Sequence, residues 1–147
     1  MKLLVALLII LVWGLVLTTA ANADDVDDVK AAVLAVDAAF NTGDVDAFAQ
    51  YMHPEHSSFF PGELLLEGFS KDRLKALFDS GLKFDLETRH LNVKIYGNTA
   101  VATGYNVGTI TLPDGTINQL TNRFTEVWIK QQGKWKRVHI HASPLTG

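Results

Sequence analysis

At 147 residues, with 13 basic against 16 acidic side chains and no cysteine, the chain has room for one compact domain and excludes a multidomain enzyme. Thiol nucleophiles, thiolate metal sites and disulfides are excluded with the cysteines. All 16 acids lie beyond residue 23, so the body of the chain is acidic and nucleic acid is not an expected partner.

Met1-Lys2 makes a short positive start, Leu3 to Leu17 is an apolar run broken by Gly14, and Ala21-Asn22-Ala23 has the small-x-small pattern of a signal peptidase site. Residues 1–23 are therefore expected to be a signal peptide, leaving a domain of residues 24–147 that is secreted or periplasmic. The run is short of the roughly 20 apolar residues of a spanning helix, so membrane contact is expected only through an uncleaved leader.

Val26, Val29, Val33, Val36 and Phe40 recur at spacings of three and four, which predicts one apolar stripe of a helix ending at Asn41-Thr42-Gly43. Asp24 to Asp28 would then sit at its positive N-terminus. Asp44 is a cap for a second, shorter helix with Val45, Phe48 and Met52 on one face, stopped by Pro54. His53 to Gly62 reads as a polar loop. Ser70 caps a third helix, with Phe69 and Leu74 as a hydrophobic staple and Gly81 as its end.

From Phe84 the period becomes two, and the phase switches between Leu86 and Leu91, which predicts a bulge near Arg89-His90. Pro113-Asp114-Gly115 and Gln131-Gln132-Gly133 fit three-residue hairpin loops. Helices followed by a long bent antiparallel meander is an α+β arrangement with the helices on one face.

The first loop predicts the pairs Ala102/Glu126, Gly104/Phe124, Tyr105/Arg123 and Asn106/Asn122. The second predicts Glu126/Val138, Phe124/Ile140, Thr125/His139 and Arg123/His141. One face then carries Asn106, Asn122, Phe124, Glu126 and Trp128. The other carries Val127, Ile129, Trp135, Arg137, His139 and His141. Both hold large apolar groups and helices cover only one, so the second is expected to meet another copy of the chain.

Phe40-Asn41-Thr42-Gly43-Asp44, Leu66-Glu67-Gly68, and the hairpin from Phe124-Thr125-Glu126-Val127-Trp128 through Gly133-Lys134-Trp135 to Val138-His139-Ile140-His141-Ala142-Ser143 resemble the nuclear transport factor 2-like superfamily. Within it the chain is most similar to SnoaL-like proteins and to the association domain of calcium/calmodulin-dependent protein kinase II. The resemblance implies a cone, in which a strongly curved antiparallel sheet wraps three helices and leaves a pocket at the open end. It also implies dimers or larger rings formed through the outer sheet face. Where those association domains place pocket arginines, this sequence has Val107, Glu126 and Ala142, so a preference for anions in that pocket does not carry over.

Glu126, beside Ala102 and Val138 in the expected register, is the candidate general acid or base, since a carboxyl in such a wall would have a raised pKa. Its alternative is a buried structural carboxylate held by an amide. Asn106 and Asn122 would orient a carbonyl or satisfy each other. Phe124, Trp128, Tyr51 and Phe59 are candidate pocket walls, with Phe59 and Phe60 in the loop lining the opening. Val127, Ile129, Trp135, His139 and His141 are the candidate interface. His139 and His141 share a side, as metal ligands must, but no third ligand accompanies them and Arg123 would repel a cation, so no metal is expected. No cofactor motif is visible. The expected function is an exported, oligomeric domain binding a small apolar or carbonyl-containing molecule. The alternatives are a cofactor-free isomerase or dehydratase using Glu126, and a pure assembly module.

Overall fold

The computed structural model describes residues 18–61 and 64–145. The positive start and apolar run of the expected leader lie outside the described residues. The elements are α1 (Thr18–Thr42), α2 (Val45–Ala49), β1 (Met52–Phe59), β2 (Leu66–Glu67), α3 (Lys71–Asp79), β3 (Lys83–Tyr96), β4 (Thr99–Thr111), β5 (Ile117–Gln131) and β6 (Lys134–Pro144). One six-stranded sheet runs in the order β2-β1-β6-β5-β4-β3. The helices lie on one face of this curved, open sheet, the α+β arrangement that the pattern predicts and the cone that the resemblance implies.

The valine stripe makes α1 the centre of the core: Val29, Val33 and Val36 are buried beside Ala100, Ala102, Phe124, Trp128 and Ala142 of the sheet. At its C-terminal end Phe40 meets Phe48, Phe78 and Phe84 at ring-centroid distances of 5.9, 5.4 and 4.5 Å, so one aromatic side chain ties α2, α3 and β3 to α1. Both caps form, Asp44 accepting from the Ala47 N–H and Ser70 from the Arg73 N–H. Because α1 already runs from Thr18, Asp24 to Asp28 stand inside the helix rather than at its first turn. Asp25 instead accepts from Lys130 of β5.

Two expectations about the middle of the chain are corrected. Met52 belongs to β1 rather than to the second helix, and most of the expected loop is that strand, paired parallel to β6. Its inward residues, Met52, His56 and Ser58, are mostly polar, so apolar alternation could not reveal it. Pro54 is tolerated because the ladder to β6 is interrupted between Met52 and Ser57.

The bulge after Arg89 forms, with His90 at φ 53°, and Leu91, Val93 and Ile95 pack inward beyond it. The β4–β5 register is the predicted one, with Ala102 opposite Glu126 and Asn106 opposite Asn122. The β5–β6 register differs. Gln131 pairs with Lys134 across a two-residue turn whose residues, Gln132 and Gly133, both have positive φ. With that turn Trp128 faces Arg137, and a bulge then skips Val138 so that Val127 faces His139. Trp135 and Arg137 therefore turn inward and are buried, and Trp135 is a core residue rather than part of an outer interface. Beyond the bulge Glu126 faces Ile140, Phe124 faces Ala142 and Thr125 faces His141, and the predicted faces are restored.

Candidate functional site

The displaced register builds a polar cluster on the inner face. Glu126 and Arg137 are 2% and 4% exposed, so neither charge is served by water. The Arg137 Nη1 donates to Glu126 Oε1 at 2.5 Å, and Trp128 Nε1 donates to Glu126 Oε2 at 2.8 Å. Arg137 Nη2 points at Met52 Sδ, 3.5 Å away, and the guanidinium lies 5.4 Å from the centroid of the Phe48 ring. Val138 was expected to leave space beside Glu126; the guanidinium occupies that side instead. The neighbouring His56 is also buried, and its Nε2, like the Nε of Arg137, has no hydrogen-bond partner among the described residues. Burial first, and then the charge of Arg137, push the His56 pKa down to about 3, so the ring is neutral at physiological pH.

A second carboxylate completes the cluster. Asp37 projects from α1, four residues before Asn41, and is partly buried. Its carboxylate accepts from Thr88 Oγ1, and Thr88 in turn accepts from Asn106 Nδ2 at 3.2 Å, a relay crossing from β4 through β3 to the helix. Burial pushes the Asp37 carboxyl up to about 6, and the negative charge of Glu126 adds to this while Thr88 and Arg137 oppose it. One turn further on, Asn41 fixes α1 to β3 through both ends of its amide, donating to Leu86 O at 2.8 Å and accepting from Leu86 N at 3.1 Å. A cleft of about 550 Å³ opens beside it, its wall shared between Phe40, Phe78, Leu82 and Phe84 and the polar Thr42, Lys83, Asp85, Thr109 and Thr111.

Of the residues singled out from sequence, Glu126, Asn106 and Asn122 share the inner face as expected. Phe124 and Trp128 do too, but as close-packed core, and Tyr51 stands edge-on to Trp128 at 6.5 Å. Phe59 is on the opposite side. It is paired beside His141 at the end of β1, meets His139 edge-on at 6.0 Å and lies tilted to His141 at 5.7 Å, so it does not join Phe124 and Trp128 in one wall. Ser57 Oγ and His139 Nδ1 are hydrogen-bonded at 2.8 Å. Val107 lies on the outer face. Among the described residues no group of three His, Asp or Glu side chains stands close enough to hold a metal ion.

Asp37 and Thr88 were not anticipated, His56 was expected in a polar loop and Arg137 on the outer face, and both of these are buried instead. Asp37 alone carried a sequence signal, a carboxylate set between Val33, Val36 and Phe40 on the apolar stripe.

Residues 29–147 match the model of the SnoaL-like domain family. The chain belongs to this family. The SnoaL-like domain is similar in structure to a candidate dehydratase of the NTF2-like family from Streptomyces avermitilis, with 21% identity, a TM-score of 0.74, and coverage of 85% of this chain and 99% of that one. It is also similar to the association domain of C. elegans CaMKII, with 22% identity, a TM-score of 0.68 and coverage of 84% and 98%. The S. rosetta CaMKII hub is similar at 24% identity, a TM-score of 0.68 and coverage of 81% and 95%. At these identities the likeness establishes the fold of the SnoaL-like domain.

Proposed function

We propose that this chain is an exported, self-associating SnoaL-like protein that binds a small, mostly apolar, carbonyl-containing molecule at the open end of its cone. The observation that carries this reading is Asp37, a partly buried carboxyl with a pKa of about 6, one helical turn before Asn41, which lines a cleft together with Phe40, Phe78 and Phe84. The three phenylalanines suit the apolar part of such a ligand, and Asn41, Lys83 and the threonines that share the lining offer partners for its carbonyl. Export rests on Met1-Lys2, the run Leu3 to Leu17 and Ala21-Asn22-Ala23. Self-association is supported by Val101, Val127 and Ile129, which lie on the helix-free side of the sheet, and by the CaMKII association domains among the similar structures.

The same carboxyl favours a second reading, a cofactor-free isomerase or dehydratase, in keeping with the candidate dehydratase named above. A group that titrates near pH 6 exchanges protons readily at neutral pH. The acid–base role falls to Asp37 rather than Glu126, because two donors already hold the Glu126 carboxylate and Arg137 needs its charge. Glu126 is then the group that positions Arg137.

A thermal-shift screen against small ketones, sterols and aromatic carboxylic acids, run on wild type and Asp37→Asn, tests both readings. Ligands that stabilise wild type and lose at least tenfold in affinity with Asp37→Asn are expected. Exchange of the ligand's α-proton in D₂O, absent with Asp37→Asn, would identify catalysis. Ligands bound equally well by the variant would overturn the site.

A further inference from the structure

A second cleft, of about 990 Å³, crosses the outer face of the sheet, away from the helices and from the inner cluster. Its floor is one cross-strand row: Arg89 of β3 lies opposite Tyr105 of β4, Tyr105 opposite Arg123 of β5, and Arg123 opposite Ser143 of β6. Neighbouring strands are about 4.8 Å apart, so the two arginine backbones stand about 10 Å apart with Tyr105 between them. The adjacent row adds Thr103, Thr125 and His141. The β3 bulge brings in His90, whose ring meets Tyr105 edge-on at 5.9 Å. No aspartate or glutamate lines this cleft, in a chain with more acids than bases.

The cationic groups are available. Arg123 donates its Nε to Ser143 Oγ at 3.0 Å, and neither of its Nη groups has a hydrogen-bond partner among the described residues. Arg89 donates its Nε and Nη2 to Glu87 Oε2 at 3.1 and 2.9 Å, but that pair is exposed on both sides and so contributes little that an incoming anion could not replace. A guanidinium offers a planar fork matched to carboxylate and phosphate oxygens. Two such forks on either side of a phenol, in a hydroxyl-lined trough, match a ligand with an acidic group at each end.

We propose that this cleft is a binding site for a small organic dianion, with carboxylate or phosphate groups, that straddles Tyr105 between Arg89 and Arg123. The site is separate from the inner cluster, and its ligand differs in class from the apolar one proposed there.

Calorimetric titration of the whole protein with adipate, acetate and inorganic phosphate, followed in parallel by NMR of the aromatic rings, tests the proposal. Adipate is expected to bind saturably and at least tenfold more tightly than acetate, to shift the Tyr105 and His141 ring signals, and to weaken with added salt. Displacement of adipate by phosphate would show that the site also takes phosphate, and its absence a site for carboxylates. Arg89→Gln and Arg123→Gln, both exposed changes whose folding is checked by melting temperature, should each weaken adipate at least tenfold. Unchanged affinity in these variants would overturn the proposal. So would shifts confined to His56 and Trp128, or adipate binding that vanishes as copies associate in light scattering.

Discussion

Arg137 reaches the Glu126 carboxylate because the two-residue turn at Gln132-Gly133 pairs it with Trp128 on the inner face of the sheet, ahead of the bulge at Val138. With both side chains almost fully buried, each charge is compensated by the other. Replacing one partner strands the other, so Arg137→Met alone should cost about 3–5 kcal/mol, and Glu126→Gln somewhat less because its amide oxygen still accepts. The double variant should recover much of that loss, since it buries no uncompensated charge. Urea denaturation of the four proteins measures the coupling, and additive single losses would show that the pair is not a unit.

Periodicity revealed α1, α3, the β3 bulge and the β4–β5 register because each rests on apolar spacing or on a turn whose length is unambiguous. The same reasoning failed at Gln131-Gln132-Gly133, where Gln132 adopts positive φ and shortens the loop by one residue. That single residue moved Trp135 and Arg137 across the sheet, and with them the partner of Glu126. β1 was hidden for a different reason. Its inward positions, His56 and Ser58, are polar side chains buried by tertiary packing that no local pattern encodes. Asp37 was visible as a misfit on the valine stripe, but its partner Thr88 is 51 residues away.

Gly108 marks where β3 and β4 run too close for any side chain. A Cβ there would lie 1.9 Å from the Asp85 carbonyl oxygen, so the backbone itself would have to move. Gly108→Ala should therefore destabilise by several times the roughly 1 kcal/mol typical of point changes, and should open the Lys83 to Leu86 end of β3 first. Hydrogen exchange at the Leu86 and Gly108 amides reads this directly. Protection equal to wild type at those amides would count against the close approach.

On the outer face, Val127 lies opposite Val101 on one strand and His139 on the other, a half-buried strip next to Ile129. If that strip is the self-association surface, it should bury on the order of 1,200 Å² or more in the assembly. Lysine at position 127 would place an unpaired charge there. Val127→Lys is expected to be monomeric in light scattering with an unchanged fold by circular dichroism. An unchanged mass, or a wild type already monomeric at micromolar concentration, would remove the strip from the interface.

Asp37 and His56 have opposite linkage to folding. The Asp37 carboxyl rises from an ordinary 3.8 to about 6, so the folded state holds its proton more tightly, and its contribution to stability falls as pH rises through that window. The His56 ring drops from 6.5 to about 3, so the unfolded state takes its proton first, and stability falls as pH drops below 6.5. Between about pH 4 and 6 the two proton balances cancel, because the folded chain keeps a proton on Asp37 where the unfolded chain keeps one on His56. These two groups should therefore give wild type a flat stability profile across that range. Asp37→Asn should expose the histidine slope, losing up to about 1.4 kcal/mol for each pH unit of acidification below 6.5. His56→Gln should show the reverse, growing less stable as pH rises from 4 to 6. Denaturant titrations at half-unit pH intervals separate the three curves. Parallel profiles in all three proteins would show that neither group is perturbed in the folded chain.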